Sequence, residues 1–477
     1  MTEQGDALLF LMRSPVYVRN FEPVLERLGS GGVRTTVLFE ERKDVGDAAG
    51  LGLMRRLSGE HESLGFEFLP PVRLGARGQL RKALRAAQDY LRYFDEPYAD
   101  AAKLRSRAAG RVPDRIERAI ATALGRWAVP RRGLAVAARL LDRRLGEEPE
   151  LRRELEARRP AVLAVTPLVQ LRSRQSDWVR AARGMGIRTM LCVHSWDNLT
   201  NKGVMHAHPD RVVVWNGAQR REAIELHGVV PESVVVAGAW PYDHWFGWEA
   251  RRSRADLCRE LGLPGEAALL LYVCSSEFIA ESERAAVLRW LHALRSSGDP
   301  RLESARVIVR PHPLNADEWD EGSLADVAGV SVFPPRGAEP VDDASRSDYF
   351  DSMAHADAVV GINTSALLEA AIVGRPALAL PDPEFLSSQH DLPHFRLLAG
   401  EGRAVDAAAS MAEHVDQLGH ALAEPSAAAG ARRRFVHELI RPHGGAPPPS
   451  ACVVAAIEEL LAGAPAAPGE PSLAAVP

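Results

Sequence analysis

Short apolar blocks alternate with amphipathic stretches along two long parts of the chain. The blocks are rich in valine, isoleucine and leucine and are bounded by polar or small residues. Such blocks predict strands buried on both faces, and the amphipathic stretches between them predict helices. The predicted strands are residues 7–12, 35–40, 161–166, 187–193, 211–215 and 233–237 in the first part, and 268–274, 305–310, 330–333, 358–362 and 376–380 in the second. This alternation predicts two parallel sheets with helices on both faces.

The two sets of strands predict an α/β protein with two doubly wound, Rossmann-like domains. We expect the first domain over residues 1–245 and the second over residues 255–445. Residues 72–159 interrupt the first domain, and Leu, Ala and Arg at helical spacing predict a helical insertion there. Residues 446–477 predict one more helix and then a disordered tail rich in Ala, Pro and Gly.

Composition and charge narrow the class of protein. The 477-residue chain has a formal net charge of −5, which argues against a nucleic-acid partner. Its four scattered cysteines indicate neither a disulfide framework nor a zinc site. No apolar stretch reaches the ~18 residues of a membrane span, and residues 1–12 do not resemble a signal peptide. We therefore expect a cytoplasmic enzyme.

The helical insertion is strongly basic. Residues 71–160 carry 22 Arg and Lys but only 12 Asp and Glu. One interpretation is docking on an anionic surface, either the inner face of a membrane or a polyanionic acceptor. The other is a solvated helical subdomain in which these charges pair with the local acids.

The run Arg-Val-Ile-Val-Arg-Pro-His-Pro at residues 306–313 places Arg310 and His312 at the end of a predicted strand. Ligands of open α/β sheets bind beyond the carboxyl ends of the strands. A guanidinium fork suits phosphate, and a histidine can donate a further hydrogen bond. The pattern therefore favours an anion site over a simple proline-rich surface turn.

A second polar element follows the predicted strand 358–362. Asn363, Thr364 and Ser365 form a small turn before a predicted helix, whose free N–H groups and neighbouring hydroxyls are suited to an anion. Glu369 lies one turn further along that helix and could accept two hydroxyl hydrogen bonds from a ribose. Ordinary helix capping is the alternative for each residue alone. Ser275 and Ser276, after the strand 268–274, would let the backbone approach the same phosphate.

Two further loops carry candidate residues. In the first domain His194 ends a predicted strand and is followed by Asp197 and Lys202. His194 could act as a general base, Asp197 could orient or replace it, and Lys202 could face phosphate, although a buried structural histidine is the alternative. In the second domain Gln389 and His394 lie in the loop after the strand 376–380 and could bind a donor sugar.

These motifs resemble those of GT-B fold glycosyltransferase-type proteins, in the group that holds CDP-glycerol glycerophosphotransferases, capsule-forming transferases and UDP-GlcNAc 2-epimerases. The glycerophosphotransferases carry an Arg-Pro-His-Pro motif, matched by residues 310–313, and a hydroxyl-rich turn similar to residues 363–365. Residues 194–203 are similar to their His-to-Lys-Gly loop, with different residues between. Residues 236–243 resemble the interdomain segment of the epimerases.

The resemblance implies two domains that face a central cleft, with a nucleotide-sugar donor bound by the second and a saccharide or lipid-linked acceptor bound by the first. It also implies catalysis without a metal or other cofactor, and the sequence has no Asp-x-Asp at a predicted strand end. We expect a glycosyltransferase of surface polysaccharide or glycoconjugate synthesis. A nucleotide-sugar epimerase and a non-catalytic nucleotide-sugar-binding protein are the alternatives.

Overall fold

The computed structural model divides the chain into two compact units. The first unit comprises Met1–Pro241 and Leu439–Pro477, and the second comprises Tyr242–Glu438. The structure describes residues 7–41, 47–71, 74–125, 130–171, 173–263, 265–320, 322, 324–399 and 403–463.

The first unit is built on a seven-stranded sheet. Its strands are β1 (Leu8–Met12), β2 (Thr35–Phe39), β3 (Leu64–Phe68), β4 (Val162–Thr166), β5 (Arg188–Cys192), β6 (Arg211–Val214) and β7 (Val234–Val236). The spatial order is β3-β2-β1-β4-β5-β6-β7, and all neighbours are parallel. This is the doubly wound order with one extra edge strand, so the topological switch point lies between the carboxyl ends of β1 and β4.

The second unit repeats this order with six strands. They are β8 (Leu269–Val273), β9 (Arg306–Arg310), β10 (Val330–Val332), β11 (Ala358–Gly361), β12 (Ala377–Ala379) and β13 (Val405–Ala407). The order β10-β9-β8-β11-β12-β13 is again entirely parallel, with the switch point between β8 and β11. The predicted fold class, two doubly wound α/β domains, is confirmed.

Burial explains which strands the sequence reveals. Every residue of β1 and β4 is buried, because helices cover both faces of the central strands, and both strands read as unbroken apolar runs. The prediction missed β3 and β13. Strand β3 lies at an edge and alternates buried with exposed residues, and β13 is an edge strand of only three residues.

Helices flank both sheets. Those of the first unit are Val18–Ser30, Asp47–Glu60, Ala76–Arg92, Ala102–Ala109, Asp114–Gly125, Arg131–Arg144, Pro149–Arg158, Gln175–Gly184, Asn198–Asn201, Gly217–His227 and Pro449–Leu461. Those of the second are Arg254–Glu260, Arg284–Arg295, Pro300–Glu303, Asp343–His355, Ala366–Val373, Phe395–Leu398, Met411–Ala423 and Ala429–Phe435. None of the helices in the described ranges is long and apolar enough to cross a membrane.

The insertion is helical, as predicted. Five helices, from Ala76–Arg92 to Pro149–Arg158, lie between β3 and β4. Residues 72–73 and 126–129 of the predicted insertion fall outside the described residues.

The boundaries of the two units differ from the predicted ones at the C-terminal side. The first unit ends at Pro241, and the chain rejoins it at Leu439. The last helix, Pro449–Leu461, packs against Val18–Ser30 and is therefore part of the first unit rather than a separate segment. Gly238 permits this return, since its φ is +97° and an added Cβ would lie 2.6 Å from the Pro449 side chain. The predicted disordered tail beyond residue 463 lies outside the described residues.

Candidate functional site

The polar elements predicted in the second unit lie at one edge of its sheet. Ser275 and Ser276 follow β8, and residues 363–365 follow β11, its neighbour across the switch point. Arg310 ends β9 and pairs in register with Val273 of β8. The carboxyl ends of three adjacent strands thus bring these candidate residues together.

Arg310 is a buried cation that forms no ion pair within 4.0 Å with any described residue. The residue is only 5% exposed to solvent, and its guanidinium lies 4.6 Å from the ring centroid of Tyr349. Nη2 donates a long hydrogen bond of 3.4 Å to the carbonyl of Ala338, whereas Nη1 has no hydrogen-bond partner among the described residues. Burial lowers the pKa of Arg310 to about 10, so the group stays charged at neutral pH. A buried charge of this kind is costly unless an anion joins it.

Tyr349 links Arg310 to Glu369. It lies on the helix Asp343–His355, whose start is fixed by a capping box between Asp342 and Ser345. Its hydroxyl donates to Oε2 of Glu369, and burial raises the pKa of Tyr349 well above its usual value. Glu369 is therefore held as an acceptor beside the guanidinium, as a ribose contact would require.

An aromatic wall backs this arrangement. The ring of Trp245 lies 5.6 Å from Tyr349 and 5.7 Å from Phe350, with the latter pair stacked. Tyr349 could not be recognised as a site residue beforehand, because a tyrosine on a helix resembles any core aromatic residue.

The turn after β11 presents hydroxyls at a helix start. Ser365 is exposed at the N-cap of Ala366–Val373 and makes no capping hydrogen bond, while Thr364 Oγ1 accepts a long hydrogen bond of 3.4 Å from the Ala366 N–H. Asn363 is buried, and its Nδ2 donates to the carbonyl of Ser388 at 2.6 Å. Asn363 thus supports the turn, and Thr364 and Ser365 form its outer side.

The two predicted serines after β8 differ in exposure. Ser275 is fully buried, with its N–H bonded to Glu283 at 2.5 Å and its hydroxyl without a partner among the described residues, whereas Ser276 is partly exposed. His312 is also partly exposed, and its Nδ1 accepts from the Leu314 N–H at 3.2 Å. Ser276 and His312 therefore remain accessible candidates at this sheet edge.

Gln389 and His394 follow β12, as expected, and both side chains are buried. Gln389 is 1% exposed, and its Nε2 donates to the carbonyls of Ile362 at 2.9 Å and Leu380 at 3.0 Å. Both hydrogens of the amide are thus used to join the ends of β11 and β12. His394 is buried 3.4 Å from Asn363. The contact of these two side chains with a donor sugar stays a prediction.

In the first unit His194 follows β5 and is neutral at physiological pH. Its ring packs edge-on against Tyr17 at 4.8 Å, and its Nδ1 has no hydrogen-bond partner among the described residues. Burial lowers the pKa of His194 to about 3, partly offset by the charge of Asp197. The free imidazole is therefore able to accept a proton from a ligand, although as a weak base.

Asp197 and Lys202 form one polar group beside it. Asp197 Oδ1 accepts from the Ser195 hydroxyl at 2.5 Å, and its Oδ2 lies 3.8 Å from Lys202 Nζ. Burial lowers the pKa of Lys202, and the Asp197 carboxylate opposes that shift.

Glu222 is a further titratable group of this region that the sequence did not reveal. Burial raises its pKa to about 8, and the charge of Asp197 adds to the shift. Its Oε2 has no hydrogen-bond partner among the described residues. Because Glu222 lies in the middle of the helix Gly217–His227, no motif marks it.

The inserted helix Ala76–Arg92 holds the loop that carries Asp197 and Lys202. Arg92 donates to the carbonyls of Leu199, Lys202 and Gly203, the last at 2.7 Å. Asp89 accepts from the Val204 N–H at 2.9 Å. Its carboxylate fits only because residue 203 is glycine, since an added Cβ would lie 2.5 Å from Oδ1.

Several arginines of the basic insertion therefore face inward. Arg81, Arg85 and Arg92 are all buried, and Arg85 forms a 2.6 Å ion pair with Asp177. These charges cannot contact a membrane or a polyanion. The predicted excess of basic residues overstates the charge that the surface of the insertion presents.

Comparison with known proteins supports the fold. The sequence matches no protein-family model and no curated protein. Among solved structures, UDP-GlcNAc 2-epimerase from Neisseria meningitidis, bound to UDP-GlcNAc, matches with a TM-score of 0.52 at 10% identity, over 95% of this chain and 99% of that one. A glycosyltransferase from Rickettsia africae matches with a TM-score of 0.53 at 8% identity, over 97% and 100%. MnaA from S. aureus, solved with UDP, matches with a TM-score of 0.51 at 10% identity, over 98% and 100%.

At these identities the likeness concerns the fold alone. The chain has the two-domain α/β fold of UDP-GlcNAc 2-epimerases and of a glycosyltransferase, which confirms the fold group that the sequence motifs suggested. In the described ranges, no three His, Cys, Asp or Glu side chains lie close enough together to hold a metal ion. Independence from metal stays a prediction.

Proposed function

We propose that this protein is an enzyme that transfers a sugar from a nucleotide-activated donor to an acceptor hydroxyl. The observation that carries the proposal is Arg310, a buried guanidinium at a strand end with Nη1 unpartnered among the described residues. A diphosphate would add a negative charge next to the guanidinium and accept hydrogen bonds from Nη1. In the transition state, the same cation would stabilise the charge that develops on the leaving nucleotide.

The neighbouring groups suit the rest of a nucleotide. Glu369, held by Tyr349, could accept hydrogen bonds from a ribose diol. Thr364, Ser365 and the start of the following helix could donate to phosphate oxygens. Two proteins of the same fold were solved with UDP or UDP-GlcNAc, which makes UDP the first nucleotide to test here.

The acceptor is assigned to the first unit. His194 is neutral and has a free ring nitrogen, so it could take the proton of an acceptor hydroxyl, with Asp197 as the nearby acid that orients or replaces it. Lys202 Nζ lies 3.8 Å from Asp197 Oδ2, and the contact of Lys202 with a phosphate stays a prediction. A saccharide or lipid-linked acceptor is consistent with these residues.

Epimerisation of a nucleotide sugar is the second candidate. Such a reaction needs an acid and a base around one sugar ring and no separate acceptor. Glu222, whose pKa is raised to about 8, and Asp197 interact electrostatically and could be such a pair. The electrostatic coupling of Glu222 and Asp197 therefore supports epimerisation as the alternative reaction.

We also propose that the insertion contacts a membrane surface through one restricted patch. The helix Arg131–Arg144 exposes Leu140 and Leu141, the latter by 51%, and Leu80 of the packed helix Ala76–Arg92 is exposed as well. Arg143 and Arg144 are exposed beside them. Apolar side chains flanked by arginines suit the interface of an anionic bilayer.

Incubation with a panel of nucleotide sugars tests these assignments. UDP-GlcNAc, UDP-glucose, CDP-glycerol and GDP-mannose would each be added with and without a mixture of saccharide acceptors and with EDTA. Acceptor-dependent release of nucleotide, unaffected by EDTA, is the expected result. An isomerised nucleotide sugar formed without acceptor would identify the epimerase, and the absence of both products would refute an enzymatic function with these donors.

A further inference from the structure

A large cavity lies in the first unit between the carboxyl edge of the sheet and the inserted helices. Its volume is about 750 Å³, within the range of small-molecule sites. Its floor includes Glu40 after β2 and Leu69 after β3, and one wall is formed by Lys82 and its neighbours on the helix Ala76–Arg92. The helix Pro149–Arg158 forms another side through Leu151. The cavity therefore exists because the insertion covers the edge of the sheet.

The charged side chains that line this cavity nearly cancel. Among the described residues of the lining, five are cationic and six are acidic, so this part of the lining carries no net positive charge that would attract an anion. The arginines are moreover already paired. Arg85 forms its 2.6 Å ion pair with Asp177, Arg81 lies 3.1 Å from Glu148, and Arg174 also pairs with Glu148.

Apolar surface makes up much of the remaining lining. A short stretch of the chain contributes much of it, through Phe68, Leu69, Pro70, Pro71 and Leu74. A cavity that combines an apolar wall with paired charges and a few accessible polar groups suits a ligand with C–H faces and neutral hydroxyls. A phosphate or a carboxylate would instead need an unpaired cationic cluster.

Lys82 and Glu40 are polar groups of the lining that remain available to a ligand. Lys82 makes no ion pair or hydrogen bond with any described residue. Glu40 is partly exposed and lies close to Gln175, a buried residue whose Nε2 donates to carbonyls at the ends of β1 and β4. Burial raises the pKa of Glu40 to about 7, against the opposing charges of Arg13 and Arg174. Its carboxyl can therefore either donate or accept a hydrogen bond near neutral pH.

We propose that this cavity binds a neutral saccharide, with Glu40 and Lys82 hydrogen-bonded to its hydroxyls and the apolar wall against its C–H face. In naming this saccharide as part of the acceptor, the inference rests on the proposed function. Binding of the saccharide itself requires only the cavity. The insertion thus supplies one wall of a substrate site and does not serve only as a surface.

Saturation-transfer NMR with methyl glycosides of glucose, galactose, mannose and N-acetylglucosamine tests the proposal directly. Methyl glucuronide serves as the anionic counterpart of methyl glucoside. At least one neutral glycoside should show transfer and should bind more tightly than the glucuronide. Lys82→Trp fills the cavity and should weaken that glycoside about tenfold or more, the equivalent of one lost hydrogen bond or more.

Matched variants separate the cavity from general effects. Arg77→Trp introduces the same side chain on an exposed position of the same helix and should leave affinity unchanged. Glu40→Gln, which preserves shape, should weaken the glycoside as well. Equal binding by wild type, Lys82→Trp and Glu40→Gln would overturn the proposal, as would a preference for the glucuronide or no transfer from any neutral glycoside.

A parallel titration with UDP distinguishes this proposal from the proposed function. All three variants should bind UDP as the wild type does, because the nucleotide is assigned to the second unit. Failure of the wild type to bind any nucleoside diphosphate, with glycoside binding intact, would remove the donor assignment and leave the cavity as a saccharide site. If the wild type binds a nucleoside diphosphate but no neutral glycoside, the saccharide assignment of the cavity fails and the donor assignment stands.

Discussion

Arg92 allows a strong test of the role of the insertion, because one side chain joins it to the loop of Asp197 and Lys202. Its guanidinium donates to the carbonyls of Leu199, Lys202 and Gly203 and to the hydroxyl of Tyr98. We expect Arg92→Ala to free this loop. The amides of residues 198–204 should exchange hydrogen faster, and turnover should fall while the KM for the nucleotide donor changes little.

The size of the effect follows from burial. Arg92 is only 6% exposed, so its removal leaves three buried carbonyls without their hydrogen-bond donor. Loss of a buried charged group that holds several acceptors costs roughly 3–5 kcal/mol, and a misplaced catalytic group costs about 10²-fold in rate. Arg92→Lys keeps the charge but lacks the planar fork, and it should restore only part of both losses.

Hydrogen exchange, urea unfolding and turnover would be measured on Arg92→Ala, Arg92→Lys and the wild type. Arg77→Ala, on the exposed side of the same helix, is the control and should behave as the wild type. Unchanged exchange of residues 198–204 in a folded Arg92→Ala protein would refute the positioning role of the insertion. So would a loss of stability without any change in turnover.

Three other predictions concern the remaining groups. His194→Ala should leave nucleotide affinity, measured by calorimetry, unchanged and should lower turnover by ~10²–10⁴-fold in steady-state kinetics. Weaker nucleotide binding with normal turnover per bound donor would instead make His194 a donor-binding or structural residue. Tyr349→Phe removes the hydroxyl that holds Glu369 and should weaken the binding of a nucleoside diphosphate by about 0.5–1.5 kcal/mol in the same titration. Equal affinity of the variant and the wild type would exclude Glu369 as a ribose contact. Cosedimentation of the protein with anionic liposomes should decrease at high salt and should decrease in the double variant Leu140→Ser/Leu141→Ser. If the protein does not bind at low salt, or binds independently of salt and lipid charge, the insertion is a solvated subdomain.

Much of the fold could be predicted because the central strands are buried on both faces. Their apolar runs are visible without any knowledge of their neighbours, as in β1, β4 and β8. The edge strand β3 was missed because half of its residues face outward, and β13 because three residues make no recognisable block.

The candidate site could be predicted only where a strand end fixes a residue's position. Arg310 is such a residue, since the strand before it is evident. Gln389 resembled a ligand-binding loop residue in sequence, but tertiary packing turns its amide toward the ends of β11 and β12. Tyr349 and Glu222 were missed because they lie inside helices and acquire their partners only in the folded chain.

The basic insertion illustrates the same limit for charge. Arg85 and Asp177 are 92 residues apart in the sequence and form a buried ion pair. Composition counts Arg85 as surface charge, whereas the fold makes it part of an interior network. Local charge therefore predicts the surface only after such pairs are known.

Calorimetric titration of Arg310→Ala with nucleoside diphosphates tests the donor site most directly. The wild type should bind one of UDP, CDP, GDP or ADP, and Arg310→Ala and His312→Ala should each weaken it by ~1.5–3 kcal/mol, the range for a charge-assisted contact. Arg301→Ala, at an exposed position of the same unit, should bind as the wild type does. Wild-type affinity in both Arg310→Ala and His312→Ala, with the fold intact, would contradict a phosphate site at the end of β9.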